Sequence, residues 1–159
     1  MTSRDEWVAL LRESVDRFNA YRASHPAEAV SLFEGDLSFT CLPNVNFDRA
    51  DLRRCRLEGC DLSGGRFDEA RMDHANLRAA RLPGATFTRA TLRGAILYGA
   101  DLRGARLDEA DLRRVDLCDA DLHGATFRGA DLTETDLRWA KYEVSALTGV
   151  DLTGARIRM

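Results

Sequence analysis

The sequence lacks the features that mark membrane-spanning and secreted proteins. Its 159 residues contain no apolar run near the ~18 residues that a membrane span needs. Arg4, Asp5 and Glu6 stand where a signal peptide would be apolar. We therefore expect a cytoplasmic protein with no membrane partner, whose four cysteines are reduced thiols.

The sequence also lacks an excess of charge of one sign. It has 23 basic and 26 acidic residues and a formal net charge of −3. A balance this even gives no argument for a nucleic-acid partner, and equally none for a surface that imitates a polyanion throughout. With 45% hydrophobic and 31% charged residues, the composition is typical of one domain with a continuous core.

The sequence instead repeats one five-residue phrase. Between Ala95 and Leu137 the phrase returns without a gap, in copies such as A-D-L-R-G, A-D-L-R-R and A-D-L-H-G. From Leu37 to Ile157 a large apolar residue occupies every fifth position, and a small residue usually stands two positions before it. Residues two apart lie on the same side of an extended chain, so both can point inward. A helix would spread this period around its whole surface, and the pattern therefore predicts a coil that turns a corner every five residues.

The phrase A-(D/N)-L-x-x resembles that of the pentapeptide repeat family, from about residue 35 to residue 159. The resemblance implies an all-β solenoid, a right-handed quadrilateral β-helix with four pentapeptides to a coil. Residues 35–159 then make about six coils stacked about 4.8 Å apart, and residues 1–34 form an N-terminal capping α-helix with a linker. We number the four sides of a coil so that Leu37, Leu42, Phe47 and Leu52 lie on sides one to four.

The spacing of other residue types agrees with a coil of twenty residues. Phenylalanines at inward positions are separated by multiples of twenty, which predicts an aromatic column inside side three, made of Phe47, Phe67, Phe87 and Phe127. Glycines recur at the same interval at the corner after side two, where a turn needs a positive φ; they are Gly64, Gly84, Gly104 and Gly124. Pro43 and Pro83 lie in the same corner, where a missing N–H does least harm.

Residues 3 to about 23 are predicted to form one amphipathic helix. Its apolar residues recur at helical spacing, and Ser3 with Glu6 has the spacing of a capping box. Pro26 disfavours the helical conformation at His25, so the helix should end by about Ser24. We expect this helix to lie across the first coil and cover its open β edge.

Few residues in the sequence are suited to catalysis or metal binding. His25 in the linker, His74 after side four and His123 on side two cannot converge, so we expect neither an enzyme nor a cofactor. Cys55 and Cys60 occupy inward positions, where a buried thiol packs as a small hydrophobic group. A metal site is the less favoured alternative, because neither a C-x-x-C pair nor nearby histidines complete a tetrahedral set.

Two outward surfaces are candidates for binding another protein. The first, which we call the interaction patch, is an apolar group on side one that comprises Ile96, Tyr98, Cys118 and Trp139. The second is an acidic ladder on side four, formed by Asp111, Asp131 and Asp151. These carboxylates either hydrogen-bond the backbone at the corner or present an acidic surface to a basic partner.

The preferred interpretation is a non-catalytic, rod-shaped scaffold or protein-interaction module. Some members of the resembled family confer quinolone resistance by binding DNA gyrase as acidic rods shaped like duplex DNA, so a topoisomerase-binding DNA mimic is the alternative. The even charge, the uninterrupted coils and the lack of a helix after the last repeat depart from that pattern. A direct nucleic-acid binder ranks third, because its arginines are interleaved with acids and scattered over the sides: Arg53, Arg54, Arg78, Arg93, Arg113 and Arg114.

The last coil is expected to need a cover. Its apolar underside would be buried in an end-to-end homodimer about a twofold axis, with Tyr142, Leu152, Ile157 and Met159 as anchors. The alternative is that Trp139, Tyr142 and Met159 fold over the opening within one chain.

Overall fold

The computed structural model describes residues 3–158 and shows a chain wound into a four-sided coil. Parallel bridges join outward residues to those twenty positions further on, from Ser31↔Asp51 to Asp136↔Arg156. Each strand is a single bridged residue, and backbone hydrogen bonds hold the coils together; the N–H of Leu52, for example, donates to the carbonyl of Arg71 at 2.7 Å. The twenty-residue coil predicted from the phenylalanine spacing is confirmed.

The corners of the coil all use the same backbone turn. The N–H of the small residue donates to the carbonyl of the inward residue three positions earlier, as from Cys55 to Leu52 at 3.0 Å. The residue just before the small one has a positive φ at every fifth position described from Glu34 to Gly154, with Val144 as the exception. The four predicted corner glycines have φ between 66° and 71°. Many of the other corners carry bulky residues in this conformation, which the sequence did not reveal.

The predicted aromatic column forms the core of side three. The rings of Phe47 and Phe67 have centroids 5.7 Å apart, and those of Phe67 and Phe87 stack at 4.8 Å. All four predicted phenylalanines are buried, and Leu107 takes the fourth place in the column. A Cβ on Gly65 would lie 2.8 Å from the Phe67 ring, so the small residue does make room for the ring, as expected.

The N-terminal segment forms two helices and not the single helix that we expected. Helix α1 spans Arg4–Glu13 and helix α2 spans Val15–Ser24. The break is at Ser14, which has an extended backbone and whose hydroxyl accepts a hydrogen bond from the N–H of Arg17. A serine side chain competes with the helical backbone in this way, so Ser14 starts a new helix and does not continue the first. The predicted capping box at Ser3 and the predicted end at Ser24 are both present. Neither helix has the length and apolarity that a bilayer crossing requires.

The two helices cover the first coil, as the hydrophobic pattern predicted. Trp7, Leu11 and Phe18 are buried, and the Phe18 ring packs edge-on against Phe47 with centroids 5.5 Å apart. Phe18 therefore extends the aromatic column of side three by one ring. The nearly buried Arg22 donates to the backbone carbonyl of Asp48 at 2.6 Å.

The coil is interrupted once near its C-terminal end, where we had expected no interruption. A 3-10 helix, Val144–Leu147, replaces the side-three strand that would pair Ala146 with Thr126. Val144 occupies the corner position that needs a positive φ, and the equivalent residues of the earlier coils are Asn44 and four glycines. A β-branched residue is strongly disfavoured in that conformation, so the regular corner cannot form. Pairing resumes at Asp131↔Asp151, because the number of residues in the coil is unchanged.

Candidate interaction surfaces

The interaction patch lies on one side of the coil, with two of its four members clearly exposed. Ile96 is 40% exposed and Trp139 is 53% exposed. Tyr98 and Cys118 are half-buried and lie on neighbouring coils, joined through the hydrogen bond from the N–H of Gly99 to the carbonyl of Cys118 at 2.9 Å. The patch is thus an array of separated apolar side chains along side one.

Arginines and carboxylates surround the patch. The guanidinium of Arg78 lies 4.4 Å from the centroid of the Tyr98 ring, and that of Arg158 lies 5.9 Å from that of Trp139. A hydrogen bond to Asp119 raises the pKa of Tyr98. Burial, followed by the neighbouring carboxylates of Asp136 and Asp116, raises the pKa of Cys118 to about 12. The thiol is therefore protonated at neutral pH and is suited to contact more than to nucleophilic attack.

The sequence analysis missed an exposed aromatic residue at the other end of side one. Phe39 is 76% exposed, with a φ of 59° at the corner after side one. Its ring lies over Gly59, where a Cβ would come within 2.6 Å of it. Phe39 shares a column with Trp139, five coils of twenty residues away. Because this interval is a whole number of coils, the sequence alone could have placed Phe39 and Trp139 in the same column.

The acidic ladder on side four is bonded into the corner backbone. The Oδ1 atoms of Asp111, Asp131 and Asp151 accept the N–H of the residue two positions later, at 3.3, 2.9 and 2.9 Å. Arg113 also binds Asp111 through both carboxylate oxygens and lies 3.5 Å from Asp131. These contacts support the interpretation that the carboxylates of the ladder hydrogen-bond the backbone at the corner, because each of them has a partner within the chain.

The same backbone bond recurs around the coil. Side chains at the position before the inward leucine or phenylalanine accept the N–H two positions later. Among them are Asp36, Asn46, Asp51, Asp61, Asn76, Asp101, Asp116, Asp121 and Asp136. The aspartate or asparagine of the five-residue phrase is thus a turn residue, as its short acceptor side chain allows.

The arginines are less scattered than we expected. Of the six arginines considered for nucleic-acid binding, only Arg78 lies after side one, and five line the corner after side four: Arg53, Arg54, Arg93, Arg113 and Arg114. Each of the five is within ion-pair distance of a carboxylate, as in Arg54 with Glu34 and Arg114 with Glu134. The corner is therefore lined with mixed charge and is not a basic stripe.

The histidines and inward cysteines do not form a common site. His74 lies over Gly94, His123 bonds the Asp121 carboxylate at 2.7 Å, and His25 stacks on Tyr21. Burial raises the pKa of the Cys55 thiol to about 12. Within residues 3–158 no group of side chains has the arrangement of a metal site.

The C-terminal coil exposes part of its apolar surface. Ile157 is 47% exposed, while Tyr142 and Leu152 are half-buried. Met159, the fourth expected anchor, lies outside the described residues.

A groove opens beside the interrupted rung of side three. It has a volume of about 430 Å³ and is lined by Thr126, Phe127 and Arg128 on one wall, and by Glu143, Ala146 and Thr148 on the other. The sequence analysis did not anticipate it, because the apolar register continues through Leu147 without a change.

Comparison with known proteins identifies the family. The family described as pentapeptide repeats matches with eight copies, over residues 32–68, 70–108 and 110–141. The chain belongs to the pentapeptide repeat family. The fold of that family is the right-handed quadrilateral β-helix, as the resemblance implied, and the matched repeats end at residue 141, immediately before the interruption. The family is one of structural repeats, and the matches indicate no enzyme family.

Several solved structures of pentapeptide repeat proteins are similar to this chain. One from the thylakoid lumen of Arabidopsis thaliana is 31% identical, over 69% of this chain and 70% of that one, with a TM-score of 0.35. Rfr23 from the cyanobacterium Cyanothece 51142 is 22% identical, over 89% and 95%, with a TM-score of 0.45. A trypsin-treated variant of QnrB1, a plasmid-mediated fluoroquinolone resistance protein, is 24% identical, over 82% of each chain, with a TM-score of 0.37. No curated protein matches the sequence.

Proposed function

We propose that this pentapeptide repeat protein is a non-catalytic rod that binds another protein through side one. The observation that carries the proposal is the position of the exposed large apolar residues. Of the six exposed large apolar residues in the described part of the chain, Phe39, Ile96 and Trp139 lie along side one or its following corner, and Phe39 and Trp139 are five coils apart. The other three are Phe33 after side four, Val144 after side two and Ile157 in the last coil. Exposed aromatic residues with arginines close by are typical of protein interfaces.

A partner for this surface would be elongated and would present both apolar and polar groups. The apolar contacts are separated by charged residues, among them Arg56, Asp116 and Asp136. The partner therefore has to place apolar groups at intervals along its length and polar groups between them. The large exposed rings of Phe39 and Trp139 are the best candidates for anchors, because aromatic side chains contribute most to such interfaces.

The DNA-mimic alternative receives less support from the surface. A mimic of duplex DNA needs carboxylates that are free to face a basic partner. Many carboxylates of this solenoid are within ion-pair distance of arginines on the same or a neighbouring coil, as in Asp61 with Arg81 and Glu69 with Arg89. We therefore retain gyrase binding only as a result that affinity capture can reveal.

Affinity capture with the intact chain as bait tests the proposal. The decisive comparison is between Ile96→Asp with Trp139→Asp on side one and a control, Ser63→Asp with His123→Asp on side two. The side-one variant should lose the captured protein while the control keeps it. Capture that survives the side-one changes, or that is lost when only His74 and His123 are replaced, would contradict a non-catalytic contact through side one. A cytoplasmic location is likewise a proposal, which fractionation of cells would test.

A further inference from the structure

The last complete strand of side three has one open edge. The Thr126 N–H bonds back to Ala105 at 3.0 Å, toward the preceding coil. Toward the following coil, the N–H groups of Phe127 and Gly129 have no hydrogen-bond acceptor among residues 3–158, whereas equivalent groups of earlier coils do. The Gly124 N–H is the exception, since the Glu143 carboxylate accepts it at 3.0 Å. The open edge therefore carries two donors, and one of them belongs to Phe127, which lines the groove.

The edge is open because the chain cannot supply its own strand. Residues 145–149 keep the spacing of the repeat although residues 144–147 are in a 3-10 helix, since Leu147 is buried and Gly149 has a positive corner φ of 78°. Val144 is the corner residue without a positive φ, a conformation that its β-branched side chain disfavours. The opening thus depends on a single side chain, and one substitution should close it.

We propose that this open rung binds an extended, acidic segment of a partner protein, which adds one strand to side three. Donors two residues apart on a strand edge are matched by carbonyl groups at the spacing of an extended chain. The groove volume of about 430 Å³ lies within the ~300–1,000 Å³ of ordinary ligand sites. This site is separate from side one and does not depend on the proposed function.

Two charged residues line the groove, Arg128 and Glu143, and the Glu143 carboxylate already accepts the Gly124 N–H. Arg128 is exposed at the wall of the groove and is within ion-pair distance of no carboxylate among the described residues. Three other arginines of side three are paired, namely Arg49, Arg66 and Arg89. Arg106, which bridges to Thr126, is exposed and, like Arg128, is within ion-pair distance of no carboxylate among the described residues. A carboxylate on the incoming segment would therefore meet an exposed guanidinium that has no carboxylate partner among the described residues.

The probe that we suggest is a labelled peptide that copies residues 104–110, G-A-R-L-D-E-A, which form a side-three rung with two acidic residues. Fluorescence anisotropy with the full chain should show saturable binding, and the NMR amide signals of Phe127 and Gly129 should shift. A peptide with Asn and Gln in place of the acids should bind up to about fivefold more weakly, and Arg128→Gln should have a similar effect, since an exposed ion pair contributes at most about 1 kcal/mol.

A matched pair of variants at one position decides the proposal. Val144→Gly permits the regular corner, so residues 145–148 should pair with the open edge and peptide binding should fall at least tenfold. Val144→Thr keeps the β-branch and should bind like the native chain. The melting temperature of each variant shows that it is folded. No saturable binding to the native chain, or equal binding to Val144→Gly, would overturn the proposal. Self-association that Val144→Gly abolishes would overturn it too, by identifying the occupant as a second copy.

Discussion

The side-chain oxygen of Asn19 accepts a hydrogen bond from the backbone N–H of Asn46 at 2.8 Å. The nitrogen of the same amide donates to the carbonyl of Asn44 at 3.0 Å. One helical side chain therefore bonds the first edge of side three much as a preceding strand would. The opposite end of side three, at Phe127 and Gly129, has no such cover among the described residues. The solenoid is thus closed at one end by its helices and open on the same side near the other.

Asn19→Ala should destabilise the protein by roughly 1–3 kcal/mol, because it leaves two backbone groups of the first coil without their partners. Denaturant unfolding measures the loss. Asn19→Asp keeps the acceptor and loses the donor, so its effect should be intermediate. Equal stability of all three proteins would mean that water replaces the amide at no cost and that the helices cover the edge by apolar contact alone.

Phe87→Ala should cost about 3–5 kcal/mol, because it leaves a cavity in a stacked aromatic column. Phe87→Leu is the matched control, since the chain itself places Leu107 in that column, and it should cost far less. Thermal and denaturant unfolding of both variants checks the order. Similar losses for Ala and Leu would show that ring stacking, and not filled volume, stabilises the column.

The corner conformation predicts opposite effects for two neighbouring corners. Ala79 has a φ of 53° and Gly84 a φ of 68°, and a Cβ on Gly84 would meet nothing within 4 Å. Ala79→Gly should therefore stabilise the protein by up to about 1 kcal/mol, and Gly84→Ala should destabilise it by about 1 kcal/mol, through backbone strain alone. Unfolding midpoints of the two variants measure both. Changes of the same sign would contradict backbone strain as the reason that the corner fails at Val144.

The lowered pKa of Asp136 should make the stability of the fold depend on pH in the acid range. Hydrogen bonds from Arg138 are the largest cause that lowers the pKa of Asp136 from 3.8 to about 2. A lowered carboxyl pKa contributes stability that is present above the unfolded value near pH 4 and is lost as the pH falls through about 2. Asp136→Asn should therefore reduce the difference in unfolding midpoint between pH 5 and pH 2.5, and the size of that reduction measures the contribution of the carboxylate. Asparagine is a fair replacement because the chain uses it at the equivalent corner position of Asn46 and Asn76.

We also predict a homodimer through the C-terminal coil. Ile157 is exposed there and Leu152 is only half-buried, so an end-to-end contact would bury apolar surface. Sedimentation at several protein concentrations should show the dimer, and Ile157→Asp should shift the equilibrium to the monomer. A monomer that persists at high concentration, with Ile157→Asp changing nothing, would favour closure of the opening within one chain.

The sequence by itself determined the coil. Three patterns in the sequence predicted features that the structure contains. They are the period of five residues, the twenty-residue spacing of Phe47, Phe67 and Phe87, and the capping box at Ser3. Each of them depends only on residues close in the sequence or on the repeat itself. A strict repeat makes this possible, because every coil meets nearly the same neighbours as the one before it.

Only the tertiary structure decided where the repeat fails and what remains exposed. The apolar spacing runs through Ser14 and does not show the break between α1 and α2, and the open rung depends on the φ that one corner demands of Val144. The position of Phe39 in the column of Trp139 became visible once the coils were stacked. Apolar register alone could not show these features, because it records which residues point inward and not which backbone conformation each corner requires or which edge lacks a partner.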